Sequence, residues 1–410
     1  RSLIGSIKDY PNIRVLYMNA TEIIEALGKG IGDIGISGKD LWRESEQSIQ
    51  SNIALAKEYN WGRSDLIVAV DTMWLDCVNP TDLEDISYEF YQKKKRLMRC
   101  ATKFKNLAHG WFNSKGITQY ELISSLFSDY SYKQRWVYIP EGKKASFRKD
   151  QVFNFPVGSA LIKTFYYPVD ERNLSLGKRL METRLLVRKQ TGWEAVSYAW
   201  NDEQNEAFIK KAGKTILNEW IDFEGEKRSV RYRVPNKNQC KECHSYNDAV
   251  MPIGPKARNL NKVFDYQDGS INQLTKWMRL DYIDGIEIDL NTPVDWSDET
   301  YSLDNRVRSY LDINCGHCHI STGGANSTGL YLDLTESRPK HLGINKKPVA
   351  TGRGSGGHKF SIAPGNSRES ILLHRMISTD PGVMMPESGR SLMHHEAVEL
   401  IEKWIDNMDT

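Results

Sequence analysis

Cys240-Lys241-Glu242-Cys243-His244 and Cys315-Gly316-His317-Cys318-His319 decide how the C-terminal part of this chain reads. Both are C-x-x-C-H, the attachment pattern of c-type haem. Two thiols add across the two vinyl groups of one porphyrin, and a two-residue gap sets the sulfurs at the right separation. The adjacent histidine then supplies the proximal imidazole to iron. The motifs therefore predict two covalently bound haem c groups. Cys240, Cys243, Cys315 and Cys318 are the attachment points, and His244 and His319 the proximal ligands. A lone C-x-x-C also serves as half a zinc site or as a redox dithiol. One zinc site from both pairs is disfavoured, because such pairs usually lie about 15–20 residues apart, and these are far more widely separated.

A sixth ligand for the second iron is offered by Pro381-Gly382-Val383-Met384-Met385-Pro386. A methionine before proline, on a loop ahead of a final helix, presents thioether sulfur well; Met385 is the expected ligand, Met384 the second choice. Met/His ligation suits electron transfer. For the first site Met251 and Met278 are candidates, and His/Met, bis-His and five-coordinate iron all stay open.

Leu303 to Asn314 carries Val307, Tyr310 and Leu311 at helical spacing, with Asp304 as N-cap. His394 to Met408 carries Ala397, Ile401, Trp404, Ile405 and Met408 on one face. A helix before the Cys pair and another at the C-terminus is the arrangement of class I cytochrome c. Gly352-Arg353-Gly354-Ser355-Gly356-Gly357 matches G-x-G-x-x-G, but a dinucleotide site needs that motif between a strand and a helix. Here it reads as loop.

From about Phe127 to Asn236 the pattern shifts to short alternating runs. Thr183 to Lys189 leads through Gln190-Thr191-Gly192 into Trp193 to Trp200, a β-hairpin. Phe155 to Pro168 and Ser229 to Pro235 also read as strands.

Charge limits the partners. In 410 residues, Lys+Arg is 55 and Asp+Glu 53, a net of +2. That excludes nucleic-acid binding driven by bulk charge and a polybasic membrane anchor. The cleanest apolar run, Leu66 to Val70, is far short of the roughly 20 residues of a membrane span. Cys77 and Cys100 stand alone. The chain starts at Arg1 with no charged-then-apolar leader.

Residues from about 126 to 410 resemble a family of bacterial di-haem c-type cytochromes. The matching stretches are Leu126 to Lys133, Phe155-Pro156-Val157-Gly158, Ile162 to Pro168, Pro252 to Asn261 and Pro381 through Gly389. The resemblance implies an exported protein, hence a periplasmic or extracytoplasmic haem part, that exchanges single electrons with redox partner proteins. A di-haem peroxidase-like oxidoreductase, with an open site at the first haem, is the enzymatic alternative.

Residues 1 to about 125 read differently. Glu22 to Leu27 is helical, Gly28 to Leu41 reads as turn, strand and turn, and Gly62 to Val70 and Arg99 to Phe104 as strand entries. Alternation of this kind suggests α/β. This part is similar to the front of ATP phosphoribosyltransferase, the first enzyme of histidine biosynthesis, a cytoplasmic enzyme with a periplasmic-binding-protein-like fold. The match is close in Gly32 to Leu41, Gly62 to Val70 and Ala101 to Phe104, and stops near Tyr120 to Ser125. The family's first strand is expected to be missing. Its ribose-pyrophosphate site, a later acidic and Gly-rich loop leading into a helix N-terminus, does not follow. No transferase activity is expected of the fragment. Tyr120-Glu121-Leu122-Ile123-Ser124-Ser125 fits either parent, as a join at local similarity would leave, so the chain reads as a chimera.

The expected fold class is multidomain: an α/β lobe fragment, a β-rich segment and mainly α cytochrome c-like haem domains. The boundaries are 1–125, 126–235 for the β-rich scaffold, 236–300 for the first haem segment and 301–410 for the second haem domain.

Overall fold

The computed structural model describes residues 3–7, 10–17 and 117–410, apart from 211, 248, 287–289, 350 and 410. The expectations for 22–41, 62–70 and 99–104, and Cys77 and Cys100, lie outside the described residues. The chain divides into two compact units, Arg1–Ile86 and Ser87–Thr410. In the first, strand β1 (Leu3–Ile7) pairs antiparallel with β2 (Tyr10–Tyr17).

The second unit is built on a six-stranded antiparallel meander. Its strands lie in chain order: β3 (Ile117–Tyr120), β4 (Tyr132–Tyr138), β5 (Ala160–Pro168), β6 (Lys178–Lys189), β7 (Gly192–Trp200) and β8 (Ala207–Ile209). The β6–β7 hairpin turns at Gln190-Thr191, with Lys189 opposite Gly192. Gly192 sits at φ 130°, a conformation that favours glycine. Strand β5 begins at Ala160, later than the apolar run, because Gly158 turns the chain at φ 94°.

A second hairpin, β9 (Lys214–Ile221) with β10 (Lys227–Val234), covers one end of the meander face. Ile216, Trp220, Val230, Tyr232 and Val234 pack there on Phe165, Tyr167, Met181 and Ala199. At the other end Val137, Leu161 and Trp193 join a separate core with Tyr120, Phe153, Phe155, Trp277 and Ile283.

Helix α1 (Lys237–His244) follows β10 and starts on a full capping box. Asn236 Oδ1 accepts from Gln239 N–H at 2.9 Å, and Gln239 Oε1 accepts from Asn236 N–H at 3.1 Å. Such a cap contributes about 1 kcal/mol. Two short hairpins and two helices follow: β11 (Ser245–Tyr246) with β12 (Ala249–Val250), α2 (Ala257–Leu260), β13 (Val263–Tyr266) with β14 (Gly269–Asn272), and α3 (Gln273–Arg279).

The C-terminal part packs α4 (Leu303–Asn314), α5 (Pro339–Leu342), α6 (Ile371–Ile377) and α7 (His395–Asp406) with long connecting loops. Helices α4, α6 and α7 share a core of Val307, Leu311, Leu373, Met376, Ala397, Ile401, Trp404 and Ile405. Leu311, Ile401 and Ile405 are fully buried, each contributing roughly 1.5–3 kcal/mol. The N-cap of α4 is Ser302, whose hydroxyl accepts from Asn305 N–H, and not Asp304. Asp304 sits inside the first turn and takes the Trp404 indole N–H at 2.9 Å, so its carboxylate serves the α4–α7 contact. The Gly352–Ser355 stretch is a 3-10 turn within a loop, with no strand before it.

Candidate functional site: two Cys-Cys-His segments side by side

Cys240 and Cys243 lie three residues apart on α1, which puts both thiols on one helix face. His244 is the last residue of that helix. Its Nδ1 donates to the Met251 carbonyl at 2.7 Å, so Nε2 is the nitrogen left for a metal. The Met251 side chain packs against the β-sheet core, and Met278 is on the exposed side of α3.

The second segment turns off the end of α4. Cys315 and Gly316 both donate N–H to Leu311 O, and Cys318 and His319 both donate to Cys315 O. This one-turn wrap brings Cys315 and Cys318 together. It also needs glycine at 316: a Cβ there would stand 2.8 Å from Asp312 O and 2.9 Å from Asp333 Cα. The His319 ring faces the Leu330 backbone, and its Nδ1 makes no well-aligned hydrogen bond.

The two segments, far apart in sequence, are neighbours in space. The Cys318 thiol points to the Glu242 carbonyl at 3.7 Å. Asn247 N–H donates to Thr322 O at 3.1 Å, and Tyr246 bridges to Gly323. The methionine loop closes on both: Cys243 Sγ is 3.8 Å from Ser388 Oγ. That loop is pinned by two arginines. Met385 donates N–H to Arg375 O at 2.9 Å, and its carbonyl accepts from Arg390 Nε at 3.1 Å. Arg375 Nε donates to Val383 O at 2.8 Å. Met384 is buried and Met385 half-buried.

All four thiols are free. Burial raises the pKa of each, Cys315 and Cys318 to about 12. Burial lowers His244 to about 3 and His319 to about 4, so both imidazoles are neutral and able to ligate. Among the described residues no group of three or more His, Cys, Asp or Glu is arranged to hold a metal ion.

A buried ion pair connects the segments. Arg258, just after the first, meets Asp312, just before the second, at 2.8 Å, with side chains 3% and 2% exposed. Beside α1 lies a feature that strand-by-strand reading missed. Arg135 stands opposite Lys163, and Lys163 opposite Arg184, on three adjacent strands. Burial, then Arg184 and Arg135, hold Lys163 down to about 7. Burial works against the charge on Arg184 too, but Glu182 and Tyr232 outweigh it and leave its pKa raised.

Comparison with known proteins speaks to the N-terminal part. A family model described as ATP phosphoribosyltransferase matches residues 19–126. An ATP phosphoribosyltransferase of Rhodopseudomonas palustris is 37% identical over 125 residues, which is 30% of this chain and 38% of that protein. The enzyme of Bradyrhizobium diazoefficiens is 34% identical over the same shares. That of Brucella anthropi is 33% identical over 127 residues, 31% of this chain and 55% of that protein. The chain thus spans about two fifths of the length of the first of these curated relatives. No solved structure matches. The N-terminal segment is therefore similar to ATP phosphoribosyltransferase, as its residues suggested. The same findings overturn single-electron transfer by a di-haem cytochrome as the function read for the chain, because the family model and the relatives all point to the transferase. They lend nothing to the peroxidase-like alternative or to redox partner proteins. Among the described residues no helix is long and apolar enough to cross a membrane.

Proposed function

We propose that residues 1–125 are a piece of an ATP phosphoribosyltransferase, the enzyme type that opens histidine biosynthesis, and that the piece does not complete a catalytic cycle in this chain. The observation that carries this is where the match stops. It covers residues 19–126, and the chain then continues as an antiparallel sheet whose strands β4 to β8 follow one another directly. The family's phosphate loop, expected after that point, lies beyond the matched stretch. The test is a turnover assay of the full chain with ATP and phosphoribosyl pyrophosphate. No phosphoribosyl-ATP is expected, and turnover at a rate typical of enzymes would overturn the proposal.

A second proposal concerns the cofactor of residues 236–410. Cys240, Cys243, Cys315 and Cys318 are proposed to carry two thioether-linked haem groups; His244 and His319 would ligate the two irons, and Met385 would be a further ligand at the second. What supports it is the pairing of thiols on one helical turn with a terminal imidazole, and for His244 a hydrogen bond that leaves Nε2 available. When bound, the group supplies a coordinated iron. The chain's part is to hold it: two thiols per site fix the ring, and the buried, neutral imidazoles present nitrogen to the metal. Thioether attachment takes place outside the cytoplasm, where the transferase family does not work, so the two proposals place the two parts in different compartments. A pyridine haemochrome assay on the exported full chain should find two haems, and one in the Cys315→Ser/Cys318→Ser variant. Four unmodified thiols by mass spectrometry would overturn it.

A further inference from the structure

The meander face beneath α1 carries a row of positive charge between two apolar cores. Across β4, β5 and β6 the row runs Arg135, Lys163, Arg184, each directly opposite the next, and β7 continues it with Ser197. Opposed residues on neighbouring strands point to the same face, so these charges stand side by side. Lys133, two residues before Arg135, adds a fourth basic group, whose pKa burial and these three neighbours hold well below the ordinary lysine value. Three of the four converge on one ring: Lys133 Nζ lies 5.8 Å, Lys163 Nζ 5.0 Å and Arg184 Cζ 4.3 Å from the centre of Phe165.

The negative charge facing them comes from Glu121, which acts on Arg135, and from Glu182 and Asp129. Glu182 meets Arg184 at 2.5 Å and also accepts the Tyr232 hydroxyl at 2.6 Å. Asp129, near Lys133, is committed to the Ser391 and Leu392 amides and the Ser391 hydroxyl. Arg184 keeps a buried Nε with no partner, while its side chain stays 27% exposed. Like charges set opposite each other across strands repel, and the apolar pairs on either side hold these in line against that repulsion. An anion bound in the row removes the repulsion.

The position of the row says which anion. Ser197 is within hydrogen-bonding reach of Cys240, Arg184 acts electrostatically on both Cys240 and Cys243, and Lys163 on Cys243. We propose that Arg135, Lys163 and Arg184 form a binding site for a ligand bearing two carboxylates. Two sources supply that chemistry: a group linked at Cys240 and Cys243 through its own carboxylate arms, or a free small dicarboxylate. The first source rests on the cofactor proposal above; the site itself does not.

The experiment uses the full chain prepared without and with the linked group, with circular dichroism confirming that wild type, Lys163→Gln and Arg135→Gln fold alike. In the unlinked chain succinate is titrated by calorimetry. Binding is expected, weakened at least tenfold by either substitution, with acetate binding more weakly than succinate. In the linked chain carboxylates are probed by carbodiimide-driven coupling to glycine ethyl ester, read by mass. If the linked group supplies the carboxylates, they are protected in wild type and labelled in both variants, and succinate no longer binds. If succinate still binds, the ligand is a free dicarboxylate. The site is refuted if the variants match wild type in both arms. Failure to find any linked group sinks only the cofactor proposal, because the succinate titration still decides this one. If the unlinked chain does not fold, the labelling arm decides it.

Discussion

Asp312→Ala is expected to be the most costly single substitution near the paired segments. Asp312 Oδ1 accepts from Arg258 Nη2 at 2.8 Å and from Leu334 N–H at 2.9 Å, with Lys256 Nζ 4.0 Å away. Removing the carboxylate leaves Arg258, 3% exposed, with Asp150 at 3.0 Å as its remaining charge partner. Stranding one member of a buried pair costs about 3–5 kcal/mol, and an unsatisfied Leu334 amide adds to that. Because Asp150 still offsets part of the Arg258 charge, the expected loss is about 4 kcal/mol. The pH dependence has a definite sign. Burial raises the Asp312 pKa, but Lys256 and Arg258 outweigh it and hold the carboxyl below its ordinary value. A depressed folded-state pKa contributes stability that is complete above the unfolded value near about 4 and drains away as pH falls through the folded one. The gap between wild type and variant should therefore be full at pH 7 and narrow in acid. Urea unfolding followed by near-ultraviolet circular dichroism reads both. A loss under about 1 kcal/mol at pH 7, or a gap that widens as pH falls, would refute the assignment of this pair as the clamp.

Two further outcomes follow from the same geometry. Gly316→Ala forces a Cβ to within 2.8 Å of Asp312 O and 2.9 Å of Asp333 Cα, both backbone atoms; it should cost about 1–3 kcal/mol in a thermal melt. In the haem-loaded chain Met385→Leu should abolish the sulfur-to-iron charge-transfer absorption and leave haem content at wild-type level, while Met384→Leu leaves the spectrum unchanged; the reverse pattern would make Met384 the ligand.

Much of the local structure was legible from residues alone. Val307, Tyr310 and Leu311 recur at helical spacing and are buried together in α4, while Ala397, Ile401, Trp404 and Ile405 do the same in α7. The Thr183 to Trp200 hairpin was readable from alternation and its turn. The α4 cap was misassigned because Ser302 and Asp304 are both good capping residues, and what separates them is Trp404, a hundred positions away in the chain and invisible to a local pattern. The Cys pairs declare themselves by spacing, yet nothing in that spacing says the two segments touch. Their contact runs through backbone groups, the Glu242 and Thr322 carbonyls and the Asn247 amide, which carry no residue-specific signal.

The basic row is hidden for a related reason. Arg135, Lys163 and Arg184 lie on separate strands, and within its own strand each reads as an ordinary interruption of alternation. Register turns them into a site. Leu161 opposite Leu186 and Phe165 opposite Glu182 bracket Lys163 opposite Arg184. Slipping β5 by one residue would send Leu161 and Phe165 to the other face and empty both cores. The apolar residues on either side thus set the alignment of the charges between them, and the two cores together hold cations in a row that their mutual repulsion would otherwise break. Helix α1 follows directly on β10, and a charge pattern set by sheet pairing thereby acts on Cys240 and Cys243.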